Sequence, residues 1–136
     1  MHLSARLLTT VGSVNSFLYA TELRASVGDP VDVYFQLVDL DQLPQSQAWQ
    51  PVGLRYCPVP GATMTVDVQN LDDAKAFTRA AAQPFVGDAS IWKLQLLSTD
   101  PLRGTTNLRF RLNEAGVIRS FTLQAALLFD GDRELC

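Results

Sequence analysis

Two pairs of carboxylates are the side chains of this sequence that could most readily carry out catalysis. They are Asp39 with Asp41 and Asp72 with Asp73. Two carboxylates that face each other across a cleft suffice for acid-base hydrolysis of a glycosidic bond. Both pairs stand where strands end or turns begin, and aspartates at such positions usually accept hydrogen bonds from nearby backbone N–H groups. We therefore expect both pairs to have a structural role.

A third acidic group lies near the end of the sequence and contains Asp130, Asp132 and Glu134. Oxygen ligands at alternate positions can converge on one calcium ion, as they do in the first part of a calcium-binding loop. The sequence lacks the later bidentate glutamate at loop spacing and any flanking helical pattern. We interpret the group as a solvated acidic tail, and we predict neither a metal ion nor another cofactor.

The sequence contains one histidine, His2, at an end of the chain where fraying is common. A serine or cysteine nucleophile needs an imidazole held rigidly beside it, and a catalytic zinc ion usually needs two or three histidines. Neither common glycine-rich spacing for binding nucleotide phosphates occurs. The sequence thus predicts that the protein is not an enzyme.

Apolar residues recur at every second position along much of the chain, which is the pattern of half-buried β-strands. The clearest example is a predicted hairpin at 106–128, which reverses at Asn113-Glu114-Ala115-Gly116. Its first arm alternates Leu108, Phe110 and Leu112 with polar residues. Its second arm is expected to place one apolar face along 117–128, made of Val117, Phe121, Leu123 and Leu127.

Other segments show the same alternation and are separated by turn residues at intervals of roughly ten positions, which is typical of a β-sandwich. Residues 70–82 are ambiguous, because Asn70 could cap a helix and five alanines follow it. We expect a short helix or a turn there, bounded by Pro84. The remaining predicted strands are 17–25, 31–37, 54–59, 63–70 and 90–98.

The length of 136 residues and the hydrophobic content of 47% predict one domain with one core. We expect an all-β antiparallel sandwich, Ig-like or jelly-roll-like, of about seven to eight strands with at most one short helix. Residues 1–15 are a candidate for an extended N-terminal arm, and 130–136 for a flexible tail. Cys57 and Cys136 do not form a disulfide framework, and we favour unpaired thiols in a reducing compartment.

The net charge of −3 gives no long-range attraction to phosphate backbones, so nucleic acid is not an expected partner. No apolar run reaches the length of a membrane-spanning helix, so we expect no membrane partner and the N-terminus does not resemble a signal peptide. Charged residues make up 18% of the chain, below the roughly 25% usual for soluble domains. Part of the surface therefore either faces a protein partner or is covered by uncharged polar side chains.

Several side chains are candidates for such an interface. Trp49 lies in a polar, proline-containing loop at 42–53, where it either plugs the end of the sandwich or contacts another chain. Arg109 and Arg111 share one face of a predicted strand. This face either points to solvent or forms salt bridges with acidic residues of a neighbouring subunit. The predicted interface residues are Trp49, Tyr56, Arg103, Arg109 and Arg111.

Several short motifs follow one another between residues 30 and 128. They are Val33-Tyr34-Phe35-Gln36-Leu37-Val38-Asp39, Arg55-Tyr56-Cys57-Pro58 with Pro60-Gly61-Ala62, Gln83-Pro84-Phe85, Asp88-Ala89-Ser90-Ile91-Trp92, Thr99-Asp100, and Gly104-Thr105-Thr106-Asn107-Leu108. In this order the motifs resemble the small β-sandwich structural proteins of tailed bacteriophage virions, and are similar in style to the N-terminal domain of baseplate upper proteins. The resemblance implies a non-enzymatic virion part that docks to other phage proteins through its sandwich edges and loops. This sequence shows no fibre or receptor-binding extension beside the sandwich, so we expect an adaptor or cement protein and not a host-recognition protein.

The expected function is that of a virion structural protein, made in the host cytoplasm and assembled in many copies with other virion proteins in the tail or baseplate. One alternative is decoration of the capsid surface as a cement protein. An alternative of another class is a carbohydrate-binding or hydrolysing sandwich, in which Trp49 or Tyr56 stacks on a sugar beside a carboxylate pair.

Overall fold

The computed structural model describes residues 2–10, 17–41, 54–71, 75–84, 88–97, 99–123 and 126–130. These residues form a sheet of five strands and a sheet of six strands, with no helix among them. None of them belongs to a helix that could cross a membrane. The predicted all-β sandwich is confirmed. The strands are β1 (Leu3–Thr10), β2 (Phe17–Tyr19), β3 (Glu22–Ser26), β4 (Val31–Asp39), β5 (Leu54–Arg55), β6 (Thr63–Asn70), β7 (Ala76–Ala81), β8 (Ile91–Leu96), β9 (Gly104–Glu114), β10 (Val117–Thr122) and β11 (Ala126–Asp130).

The five-stranded sheet, sheet I, has the order β2-β1-β4-β5, with β8 also paired to β4. The six-stranded sheet, sheet II, has the order β3-β11-β9-β6-β7, with β10 also paired to β9. All strand pairs are antiparallel except β3 with β11, which run parallel. Isolated bridges join the sheets at two places, between Ala5 and Leu123 and between Ala82 and Lys93.

The core lies between the two sheets and is built by the alternation that the sequence displays. In β9 every second side chain from Thr106 to Glu114 is buried, and the intervening ones are exposed. Phe110 of sheet II reaches Phe35 of sheet I, with ring centroids 4.4 Å apart, and the ring of Phe121, its neighbour on β10, lies 5.3 Å from Phe110. These three rings join the two sheets at the centre of the core.

The described part of the chain has eleven strands where seven to eight were expected. The expected single strand at 117–128 is two strands, β10 and β11, which pair with different parts of β9. The expected strand at 54–59 is only two residues long, because Pro58 and Pro60 lack the N–H groups that a ladder needs. Strand β6 has the predicted bounds, and β4 extends the predicted one to Asp39.

The expectation of a helix or turn at 70–82 is wrong, because Ala76–Ala81 forms β7 at the edge of sheet II. Asn70 does not cap a helix; its side-chain oxygen accepts a hydrogen bond from the Arg103 N–H at 3.2 Å. Arg79 binds the buried carboxylate of Asp100 through two hydrogen bonds, and its guanidinium lies 4.9 Å from the Phe77 ring centroid. These tertiary contacts outweigh the helix propensity of the alanines.

Within the predicted N-terminal arm at 1–15, Leu3–Thr10 is a sheet strand that pairs with β4 along Leu3–Leu8, and residues 11–15 lie outside the described residues. Its inward side chains, including Ala5 and Leu7, are part of the core. Cys57 is exposed as a free thiol, whereas Cys136 and the predicted tail after residue 130 lie outside the described residues.

Candidate functional site

The end of the sandwich that carries the β9–β10 hairpin combines a tight turn with an exposed apolar tip. Ala115 and Gly116 form the turn with φ values of 49° and 88°, the positive angles that a two-residue hairpin loop requires. The side-chain oxygen of Asn113 accepts a hydrogen bond from the Gly116 N–H at 3.1 Å. The next side chains, Val117 and Ile118, are 53% and 65% exposed.

Replacing Ala115 with asparagine is expected to stabilise the protein by about 1 kcal/mol, because an L-alanine side chain is strained at positive φ and asparagine tolerates that region. Urea unfolding should show a higher midpoint with an unchanged slope. The control is Ala115→Val, whose β-branched side chain should lower the midpoint. An asparagine variant that is no more stable than the wild type would contradict the turn geometry.

A buried carboxylate at the base of the tip connects the hairpin to the segment after β5. Glu114, with a side chain only 7% exposed, accepts a hydrogen bond from the Tyr56 hydroxyl at 2.6 Å and one from the Val59 N–H at 3.1 Å. The Arg119 Nε lies 3.4 Å from the same carboxylate. Because these contacts join both arms of the hairpin to a distant segment, they hold the hairpin in a defined position.

The surroundings of Tyr56 raise the pKa of its hydroxyl above the ordinary value of 10.0. The largest cause is partial burial, followed by the hydrogen bond to Glu114 and by the negative charge of that carboxylate. Arg119 acts in the opposite direction. The folded protein therefore keeps the Tyr56 proton at pH values where the unfolded chain loses it.

This pKa shift predicts a loss of stability in alkaline solution. The contribution is fully present below pH 10, the pKa of the unfolded tyrosine, and is lost as the pH rises through the higher folded pKa. The melting temperature of the wild type should therefore fall more steeply above pH 10 than that of Tyr56→Phe, which has no proton to lose. Parallel curves for the two proteins in that range would refute the prediction.

One edge of β10 has no strand partner among the described residues. β10 pairs with β9 through Val117–Thr122, and on its other side only Leu123, just beyond the strand, bridges to Ala5. The Ser4 hydroxyl also donates a hydrogen bond to the Thr122 carbonyl at 3.3 Å. Toward the tip, a groove of about 640 Å³ separates β10 from the start of β1. We call Val117–Thr122 the free edge.

The free edge carries little of the protection that exposed strands usually have. Its outward side chains are Ile118, Ser120 and Thr122, none of which is charged or proline. Arg119 points toward the partly buried side, where it meets Glu114. Edge strands are commonly shielded by lysine, proline or a bulge, and an unshielded edge can pair with a strand of another protein.

In the first carboxylate pair, Asp39 accepts backbone hydrogen bonds, as expected of an aspartate at a strand end. Its buried side chain accepts hydrogen bonds from the His2 N–H and the Asp41 N–H, both at 3.1 Å. It thereby closes the end of the β1–β4 ladder. The second pair, Asp72 and Asp73, lies outside the described residues.

The four predicted interface residues that the structure describes do not lie together in one place. Trp49 lies outside the described residues, and Tyr56 is half-buried with its hydroxyl bound to Glu114. Arg103 precedes β9 at the end remote from the tip, whereas Arg109 and Arg111 lie together on the exposed face of that strand.

Glu114 and the free edge were not predicted from the sequence as parts of the site. Glu114 continues the inward series of Leu108, Phe110 and Leu112, so a charged residue at an apolar position was the available signal. The sequence contains no comparable signal for the free edge, which depends on which strands become neighbours.

The chain matches no protein-family model, no curated protein and no solved structure. The resemblance to virion proteins therefore stays a prediction from short motifs.

Proposed function

We propose that this protein is a non-enzymatic structural component of a tailed-phage particle, which joins neighbouring virion proteins in the tail or baseplate through the free edge and the hairpin tip. The observation that carries the proposal is a strand edge that no other described strand covers and that includes the exposed side chains of Val117 and Ile118. Apolar side chains on a surface recognise other proteins through burial, and strand edges do so through backbone hydrogen bonds.

The anchoring of the tip supports this proposal. Glu114 holds the base of the hairpin through Tyr56, Val59 and Arg119, so a partner meets a preformed surface. A preformed binding surface loses less conformational entropy on association than a flexible one. The motif order between residues 30 and 128 supports the virion as the setting.

The first test asks whether the chain is part of the particle. Purified particles of the phage that encodes the chain are banded on a density gradient, and the chain is detected with an antibody. It should travel with the particles at constant stoichiometry through a second gradient. Absence of the chain from twice-banded particles would defeat the proposal.

The second test asks whether the hairpin tip makes the contact. Ile118→Lys places a charge on the tip, and it should reduce incorporation of the chain into particles by at least about tenfold. Leu71→Lys is the matched control, because Leu71 is 59% exposed and follows β6 at the opposite end of sheet II. Both variants should fold with the melting temperature of the wild type, and equal incorporation of the two would refute the role of the tip.

A further inference from the structure

Besides the groove next to β10, a polar depression lies on the outer face of sheet II, away from the hairpin tip. It has a volume of about 410 Å³ and spans three strands, β6, β7 and β9. Strand pairing places Asp67 between Thr78 and Arg109, and Gln69 between Ala76 and Asn107. The small side chain of Ala76 leaves space in a row otherwise made of amides.

On this face two arginines, Arg109 and Arg111, lie beside one carboxylate, that of Asp67. Asp67 lies directly opposite Arg109, yet its Oδ1 accepts hydrogen bonds from the Arg111 guanidinium at 2.8 Å and from the Thr78 hydroxyl at 2.7 Å. Among the described residues, Arg109 is the one arginine whose side chain has no ion pair or hydrogen bond. The depression therefore contains an uncompensated positive charge beside a carboxylate that is already engaged.

We infer that this depression binds a carboxylate side chain of a neighbouring virion protein, with Arg109 as the principal ligand. A guanidinium presents paired N–H donors in the geometry that fits a carboxylate bidentately. The amides of Gln69 and Asn107 line the same depression and supply further donors at its rim. Arginine is also among the residues that contribute most to protein interfaces.

Charge complementarity defines the occupant as a carboxylate, which we assign to an aspartate or glutamate side chain on another protein. The choice of a protein over an acidic sugar rests on the proposed function, since that function supplies a neighbouring chain. The inference adds the chemistry of the partner to the proposed function. It also adds a second contact surface, because the depression lies on the face of sheet II and not on the free edge.

The experiment titrates the full-length protein with an oligoglutamate peptide and follows the backbone amide resonances. The peptide should shift the signals of Gln69, Thr78 and Asn107, and Arg109→Gln should weaken binding by about tenfold or more. Arg109→Lys should not restore it, because an ammonium group cannot form the bidentate contact. Arg24→Gln is the matched control and should bind as the wild type does, since Arg24 is exposed on β3, the far edge strand of sheet II.

Three results would overturn the inference. The first is no binding to the wild type, and the second is an equal loss in Arg109→Gln and Arg24→Gln, which would indicate nonspecific charge attraction. The third is much tighter binding of an oligogalacturonate of the same length, which would assign the depression to an acidic glycan. These outcomes are independent of the proposed function, because that function is tested by incorporation of Ile118→Lys into particles.

Discussion

Phe110→Ala is expected to lower the free energy of unfolding by about 3–5 kcal/mol, the usual cost of truncating a buried phenylalanine. Phe110 is fully buried and contacts the rings of Phe35 in the opposite sheet and of Phe121 in the neighbouring strand. Removing its ring leaves a cavity and breaks two aromatic contacts, each worth about 0.5–1.5 kcal/mol beyond simple burial. Because a domain of this size is stable by only about 5–15 kcal/mol, the loss is a large part of the total.

Equilibrium unfolding in urea measures this effect, with Trp92 as a buried fluorophore that should report the loss of the core. Phe110→Leu is the milder variant and should cost less, which keeps the comparison possible if the alanine variant does not fold. Ile118→Ala is the control, because Ile118 is exposed and its truncation should change stability by less than about 0.5 kcal/mol. A loss below about 1 kcal/mol for Phe110→Ala would mean that the ring is not enclosed between the two sheets.

Glu114→Ala is expected to destabilise the protein by about 2–3 kcal/mol, since it removes the acceptor for the Tyr56 hydroxyl and for the Val59 N–H. The ion pair with Arg119 adds little to this value, because the Arg119 side chain is 39% exposed and solvent screens its charge. Glu114→Gln keeps one acceptor oxygen and should cost about 1 kcal/mol. The same variants should loosen the hairpin tip and reduce incorporation into particles.

Asp67→Ala is a matched control for Glu114→Ala, because Asp67 also accepts two hydrogen bonds, both from side chains, but is 37% exposed. Its loss should cost less than about 1 kcal/mol. A double-mutant cycle of Glu114→Ala with Tyr56→Phe should show that the two losses are not additive, because both variants break the same hydrogen bond. Equal destabilisation by Asp67→Ala and Glu114→Ala would contradict a special role for the buried carboxylate.

The two proposed contact surfaces are tested by different measurements. The free edge and the tip are tested by Ile118→Lys in particles, and the Arg109 depression by oligoglutamate binding to the isolated protein. A protein that passes both tests would present an edge and a face to its neighbours, as expected for a component that contacts more than one virion protein. The carbohydrate alternative would be favoured instead by tight oligogalacturonate binding.

The strands with strict alternation could be predicted from the sequence alone. The inward series Leu108, Phe110 and Leu112 predicts the buried face of β9, and Asn113-Glu114-Ala115-Gly116 predicts the reversal after it. These features are local, because side chains of a strand alternate between its two faces wherever the strand lies. For the same reason the all-β class was predictable from the sequence. Strand β7 was not predictable, since alanine-rich segments form helices unless tertiary contacts favour another structure.

Only the tertiary structure determined which residues meet. Alternation assigns Arg109 and Arg111 to one face, but the register of β6 and β9 decides that Arg111 binds Asp67 and that Arg109 does not. The contact of Glu114 with Tyr56 joins positions 58 residues apart, and the free edge exists because β9 is the one strand that pairs with β10 among the described residues. The periodicity of a strand specifies its faces but carries no information about its partners, which are selected when distant segments pack into a common core.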